Sequence, residues 1–169
     1  MGLIDKLLGR TGDPPTAALY AAIVARARAP HWFIQGKVPD NIDGRFDMVA
    51  TILALVLLRL ESEPEGGDPG ARLTERFIDD MDAQLREIGI GDVVVGKHVG
   101  KMMGALGGRL GAYRDGLASG DLSTALVRNL YRGDAPDAAA VAHVAGALGA
   151  FHDSIRQLPA ADLIAGKLP

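Results

Sequence analysis

Cysteine is absent from the 169 residues. That excludes disulfide frameworks, cysteine–zinc centres, iron–sulfur clusters and thiol catalysis. Aromatic side chains make up only 5% of the chain, too thin a supply for stacking nucleic-acid bases or a sugar. Serine is scarce, and none of Ser62, Ser119, Ser123 and Ser154 lies in a Gly-x-Ser-x-Gly elbow, so nucleophilic hydrolysis has no visible support. No apolar run is long. The most extended, Met48–Leu58, covers 11 residues between Asp47 and Arg59, whereas a spanning helix needs about 20. It reads as a helix buried on most sides by the rest of the domain. The start of the chain, Met1–Gly9, is too short and too early in charge for a secretory signal, and it lacks the composition of a transit peptide. The expected location is cytoplasmic. Strand signals are nearly missing too: Val93–Val95 alone looks like β, and between two glycines it makes an extended link at most.

What is present is a folded, helical composition. Apolar residues form 48% of the chain, and 18 Lys plus Arg stand against 21 Asp plus Glu, a net charge of −3. That balance gives no support for a DNA-coating surface. The length suits one domain with a real core. Helical periods dominate. Leu19, Tyr20, Ile23, Val24 and Ala27 share a face of a helix over 16–28, with Asp13 and Pro14 as its start and Pro30 as its stop. Residues 29–39 read as an extended connection, and a long helix follows over about 44–61. The Pro- and Gly-rich stretch 62–70 reads as a surface loop. Beyond it Leu73, Phe77, Met81, Leu85 and Ile88 form the stripe of an amphipathic helix. Further helices are expected from Lys97 to about Leu117, ending near Tyr131–Gly133, from Asp137 to Gln157, and as a short turn over 160–167. The sum is an all-α fold, a single compact domain of six or seven helices over 1–169, with a flexible N-terminus over 1–13.

Four histidines are the first candidates for a metal or a base. His143 and His152 lie nine residues apart on one expected helix, close to half a turn out of phase, and so point to opposite faces. No His-x-x-x-His or Glu-x-x-His pair occurs, and no metal or cofactor is expected. The acids Asp79, Asp80 and Asp82 read as a solvated helix face. Gly89, Gly91, Gly96 and Lys97 superficially match a phosphate-cradling loop, but the spacing is wrong and His98 stands where Ser or Thr is needed. A corner between helices fits better, with Gly89 closing the first in a left-handed conformation. In the next helix Gly100, Gly104 and Gly108 recur every four residues, with Gly107 and Gly111 beside them. Each interior glycine costs roughly 0.5–1 kcal/mol relative to alanine, so contacts have to offset several of them. Close approach of another helix is the physical candidate, from this domain or from another polypeptide. Charge divides at the same corner: residues 73–92 carry a net −4 and residues 93–114 a net +4, with Lys97 and Lys101 on one face. The two helices can pair with each other, or the basic, Met102- and Met103-bearing face can hold a peptide or an RNA backbone.

Two segments then carry a resemblance. The first is GRFDM over 44–48, which opens the apolar helix ending LRL over 58–60. The second is REIGIGDVVVGK over 86–97, followed by KMM over 101–103 and GRLGAY over 108–113. In this order and spacing they resemble the ubiquinol–cytochrome c chaperone family over about Leu19 to Leu117. A family-like core over 14–118 and C-terminal helices over 119–169 follow. The resemblance implies a non-enzymatic, bacterial-type assembly factor for the cytochrome bc1 complex, with newly made or unassembled cytochrome b as client. Implied settings are the ribosome, the inner membrane surface and peripheral attachment to the cytoplasmic membrane; a small partner protein or self-association belongs to the same picture. The protein-binding edge is expected at Arg45, Phe46, Asp47, Gly91, Asp92, Gly96, Lys97, Lys101, Arg109 and Tyr113. Two other classes compete. A helical bundle binding a small molecule or haem predicts an enclosed pocket lined by His31, His143 or His152. A ribosome- or RNA-associated translation factor rests on the +4 segment.

Overall fold

The structure is a computed structural model that describes residues 14–87, 89 and 91–169. The flexible stretch expected over 1–13, with the Asp13 cap, lies outside the described residues. These residues form eight helices: α1 Pro14–Ala27, α2 Pro30–Ile34, α3 Ile42–Glu61, α4 Gly67–Glu87, α5 Asp92–Ser119, α6 Ser123–Asn129, α7 Ala138–Gln157 and α8 Ala160–Ile164. No strand occurs among them, so the all-α expectation holds. Two of the eight, α2 and α8, are five residues long.

Helix α3 is the axis of the domain. Its apolar run has no polar face to turn to water, and α1, α4, α5 and α7 pack around it. Met48, Ala50 and every residue from Ile52 to Val56 are fully buried. Burying each large aliphatic side chain contributes about 1.5–3 kcal/mol, which makes α3 the main apolar contribution to the fold. Asn41 caps its start by accepting from the Gly44 amide at 2.8 Å. Gly44 is required there, since a Cβ would stand 1.9 Å from the Pro39 carbonyl oxygen. At the other end Arg59 is nearly buried. Its guanidinium donates to the carbonyls of Ile155 at 3.1 Å and Leu158 at 3.2 Å and pairs with Glu63. It thereby adds a second donor to the Ile155 carbonyl, which also accepts from the Leu158 amide, and supplies one to the Leu158 carbonyl just past α7.

Helix α4 buries Leu73, Phe77 and Met81 from the expected stripe, and Gly89 (φ 85) follows it in the left-handed region, its amide bonded to the Arg86 carbonyl at 3.0 Å. Three expectations fail locally. Residues 30–34 are helical, not extended: Pro30, which stops α1, occupies the first position of α2, where its fixed φ suits a helix start and its missing N–H is not needed. This turn buries Trp32 completely and aims its indole N–H at the Arg26 carbonyl, 2.8 Å away. Residues 93–95 likewise belong to the first turns of α5. A β-branched side chain is disfavoured in a helix because it crowds the preceding turn; here no helical turn precedes. The last four residues of 62–70 similarly open α4.

Candidate functional site

The expected edge residues divide between two places. Asp47, on the second turn of α3, is fully buried. One of its carboxylate oxygens accepts from Arg109 of α5, and the other from Arg132 Nε at 2.6 Å. Arg132 also pairs with Asp43 at 2.9 Å, and Arg109 donates to the Asn129 carbonyl at 3.2 Å. One carboxylate thus joins α3, α5 and the turn after α6. Burial pushes the Asp47 carboxyl above its ordinary range, and the two guanidiniums pull it back. Arg132 reaches it from a left-handed backbone (φ 53), a conformation that costs a non-glycine residue about 1–3 kcal/mol unless its surroundings hold it. Four residues along both helices, the buried Tyr113 hydroxyl meets Thr51 Oγ1 at 2.8 Å; burial pushes the phenol up to about 12. Phe46 stacks obliquely on Phe77 at 5.7 Å under the Arg109 guanidinium at 5.5 Å. Every oxygen of Asp47 is occupied, so this cluster fixes helices in register.

The remaining members face solvent. Arg45 is exposed and pairs with Asp40 at 2.8 Å. Gly91, Gly96, Lys97 and Lys101 are exposed along the start of α5, which opens at Asp92. Lys97 and Lys101 make no ion pair among the described residues. The pairing of the acidic helix with the basic one is therefore not made by these two lysines; Asp82 pairs within α4 with Arg86, and Asp80 accepts from Tyr20 of α1 at 2.6 Å. Contact between α5 and α3 is made further along, through Arg109, Tyr113 and the Arg114–Glu61 pair. From Asp92 to Ala105, a length of roughly 20 Å at 1.5 Å per residue, no described side chain of α5 is buried. Gly96, Gly100 and Gly104 lie on this stretch, and Gly107, Gly108 and Gly111 follow just beyond it. A Cβ placed on Gly96, Gly100, Gly104, Gly107, Gly108 or Gly111 would meet nothing within 4 Å. Among the described residues no helix closes on the ridge, and Met103 is exposed beside it.

The histidines are arranged differently from expectation. His143 and His152 stay apart, but His143 meets His31 of α2, with ring nitrogens 3.0 Å apart. Among the described residues no three His, Asp or Glu side chains converge as metal ligands would. The clefts that open on the surface are shallow; one of about 470 Å³ is lined by Arg28, Pro30, Phe33, Ile34, Asp40 and Arg45. Arg132 and Thr51 were missed by sequence reasoning: Arg132 stands 85 residues from Asp47, and Thr51 stands 62 residues from Tyr113. Among the described residues no helix is long and apolar enough to cross a membrane.

A family model described as ubiquinol–cytochrome C chaperone matches residues 35–168, a span that holds every residue of the expected edge. The chain belongs to the ubiquinol–cytochrome c chaperone family. The match runs past Leu117 through α6, α7 and α8, beyond the motifs that carry the resemblance in the sequence. Among solved structures, the crystal structure of the Cbp3 homolog from Brucella abortus is similar at 31% identity and a TM-score of 0.82, over 98% of this chain and 95% of that one. No curated protein matches. Family membership gives the chain a chaperone role in assembly of the cytochrome bc1 complex, with a protein of that assembly as its partner.

Proposed function

We propose that this chaperone binds newly made cytochrome b on the exposed face of α5 and holds it for assembly into the bc1 complex, without catalysing a reaction. The observation that carries this reading is the ridge from Gly96 to Gly108. Several exposed glycines destabilise a lone helix by roughly 0.5–1 kcal/mol each, and none of the described residues covers them. Small residues let two helix backbones approach closely, the packing mode of membrane helices, where burial of apolar surface supplies little drive. An unassembled transmembrane helix of cytochrome b fits this ridge, with the exposed Met103 adding apolar contact. Lys97 and Lys101 then face the polar flank of the client, together with Gly91 and Asp92 at the helix start. Arg45 and Phe46 extend the edge toward α3, while Asp47, Arg109 and Tyr113 hold α3 and α5 in register behind it. The setting is the cytoplasmic face of the membrane, where the client inserts close to the ribosome; a small partner protein or a second copy would compete for the same face.

The test is charge reversal, Lys97→Glu with Lys101→Glu, in a strain lacking the native gene. Both side chains are solvent-exposed, so the variant is expected to fold with an unchanged thermal midpoint. The cytochrome b absorbance and the quinol–cytochrome c reductase activity are expected to fall. Normal cytochrome b and activity would contradict the proposed face. Salt-sensitive binding of RNA by the purified protein, without capture of cytochrome b, would instead favour a translation factor.

A further inference from the structure

The contact between His31 and His143 plays no part in the chaperone reading, and it joins segments far apart in the chain. His31 lies in α2 and His143 on the second turn of α7. Nδ1 of the first and Nε2 of the second are 3.0 Å apart, with the ring planes at 76°. Both side chains are half-buried, so one side of the pair stays open to water. The two segments are held firmly around it. The Gly36 carbonyl accepts from the Tyr131 hydroxyl at 2.6 Å, Lys37 pairs with Asp137 at the start of α7, and Gly36 packs so tightly on Val144 that a Cβ would come within 2.5 Å of it. His31 is further fixed by Trp32, with ring centres 4.0 Å apart.

A divalent ion of the late first row binds imidazole nitrogen at about 2.0–2.1 Å, so two neighbouring ligands on it stand about 2.8–3.4 Å apart. The observed separation lies in that range. We propose that His31 and His143 form a two-imidazole site for such an ion, taking Cu²⁺ in preference to Ni²⁺ or Zn²⁺, and that the bound ion clips α2 to α7. Water fills the remaining positions, since among the described residues no third His, Asp or Glu joins the pair. In the empty pair one facing nitrogen donates to the other. On binding, that hydrogen moves to the far nitrogen of its own ring, which frees both facing lone pairs and releases no proton while both rings are neutral. Burial, His143 and Arg26 all push the His31 pKa down, so its ring stays available as a ligand below the ordinary histidine range. Arg26 is the cation acting on His31, and its guanidinium lies over the rings of Trp32 at 5.9 Å and Phe151 at 5.3 Å. It repels a metal ion as it repels a proton, which makes the site exchangeable.

The test uses the whole chain. With Cu²⁺ a few-fold above its dissociation constant, the thermal midpoint is expected to rise by roughly 2–4 °C. The rise is expected to vanish in His31→Gln and in His143→Gln and to persist in His152→Gln. A second reading does not depend on how the variants fold: substoichiometric Cu²⁺ is expected to broaden the ring resonances of His31 and His143 in the unaltered protein before those of His98 and His152. No midpoint shift, a shift that survives both substitutions, or broadening centred on another histidine would overturn the proposal.

Discussion

Helices α3 and α5 are long helices of one domain with opposite surroundings. In α3 a run of large apolar residues is covered on nearly all sides, with only Leu58 half-buried. In the first half of α5 the side chains have been reduced to hydrogen at Gly96, Gly100 and Gly104, and none of the described residues fills the space left over. The first pattern stabilises the chain that carries it. The second destabilises it, and makes sense only where a further helix takes up the room. The fold and the proposed binding face are thus built by contrary choices of residue, and substitutions should act on them with opposite sign.

The largest effect is expected where the two helices are tied. Asp47→Ala leaves Arg109 without its carboxylate in a buried position, a change that costs about 3–5 kcal/mol, read as a lowered midpoint in urea or heat. Next comes the core of α3. Leu53→Ala removes a fully buried side chain and should destabilise by about 2–5 kcal/mol. On α5 the sign reverses. Gly100→Ala and Gly104→Ala are each expected to stabilise the free protein by about 0.5–1 kcal/mol, while lowering the yield of assembled bc1 complex, because the added methyl groups hold a docking helix away. If these substitutions leave assembly unchanged, the ridge is no binding face. The smallest effect is set by pH. The folded-state pKa of His31 is lowered, so below about pH 6.5 the unfolded chain takes up a proton that the folded one refuses. Stability is then lost as pH falls through that value toward the folded pKa. Chemical denaturation between pH 5 and 8 should show this slope, reduced in His31→Gln.

Much of this contrast was legible in the residues. An apolar run bounded by charges announced α3, the stripe from Leu73 to Met81 announced α4, and the four-residue glycine repeat raised the question of a partner. The repeat did not say whether that partner was inside the chain; among the described residues nothing lies beside Gly100 and Gly104. Local rules misled at Pro30, which can end one helix and begin the next, and at Val93–Val95, where a triplet with strand propensity sits in a helix's first turns. The ties Asp47–Arg132 and His31–His143 were beyond reach of spacing arguments, since they join residues 85 and 112 positions apart that only the packing of whole helices brings together. The motifs around Gly44 and Gly91 gave the family, although several of their residues, Asp47 and Tyr113 among them, point inward.

The most direct measurement places a photo-crosslinking side chain at Met103, exposed beside the ridge, and, separately, at Ala142 on the exposed side of α7, in cells making cytochrome b. The account predicts a cytochrome b adduct from position 103 and none from position 142. An adduct from 142 alone, or from neither position while bc1 assembly proceeds normally, would contradict it.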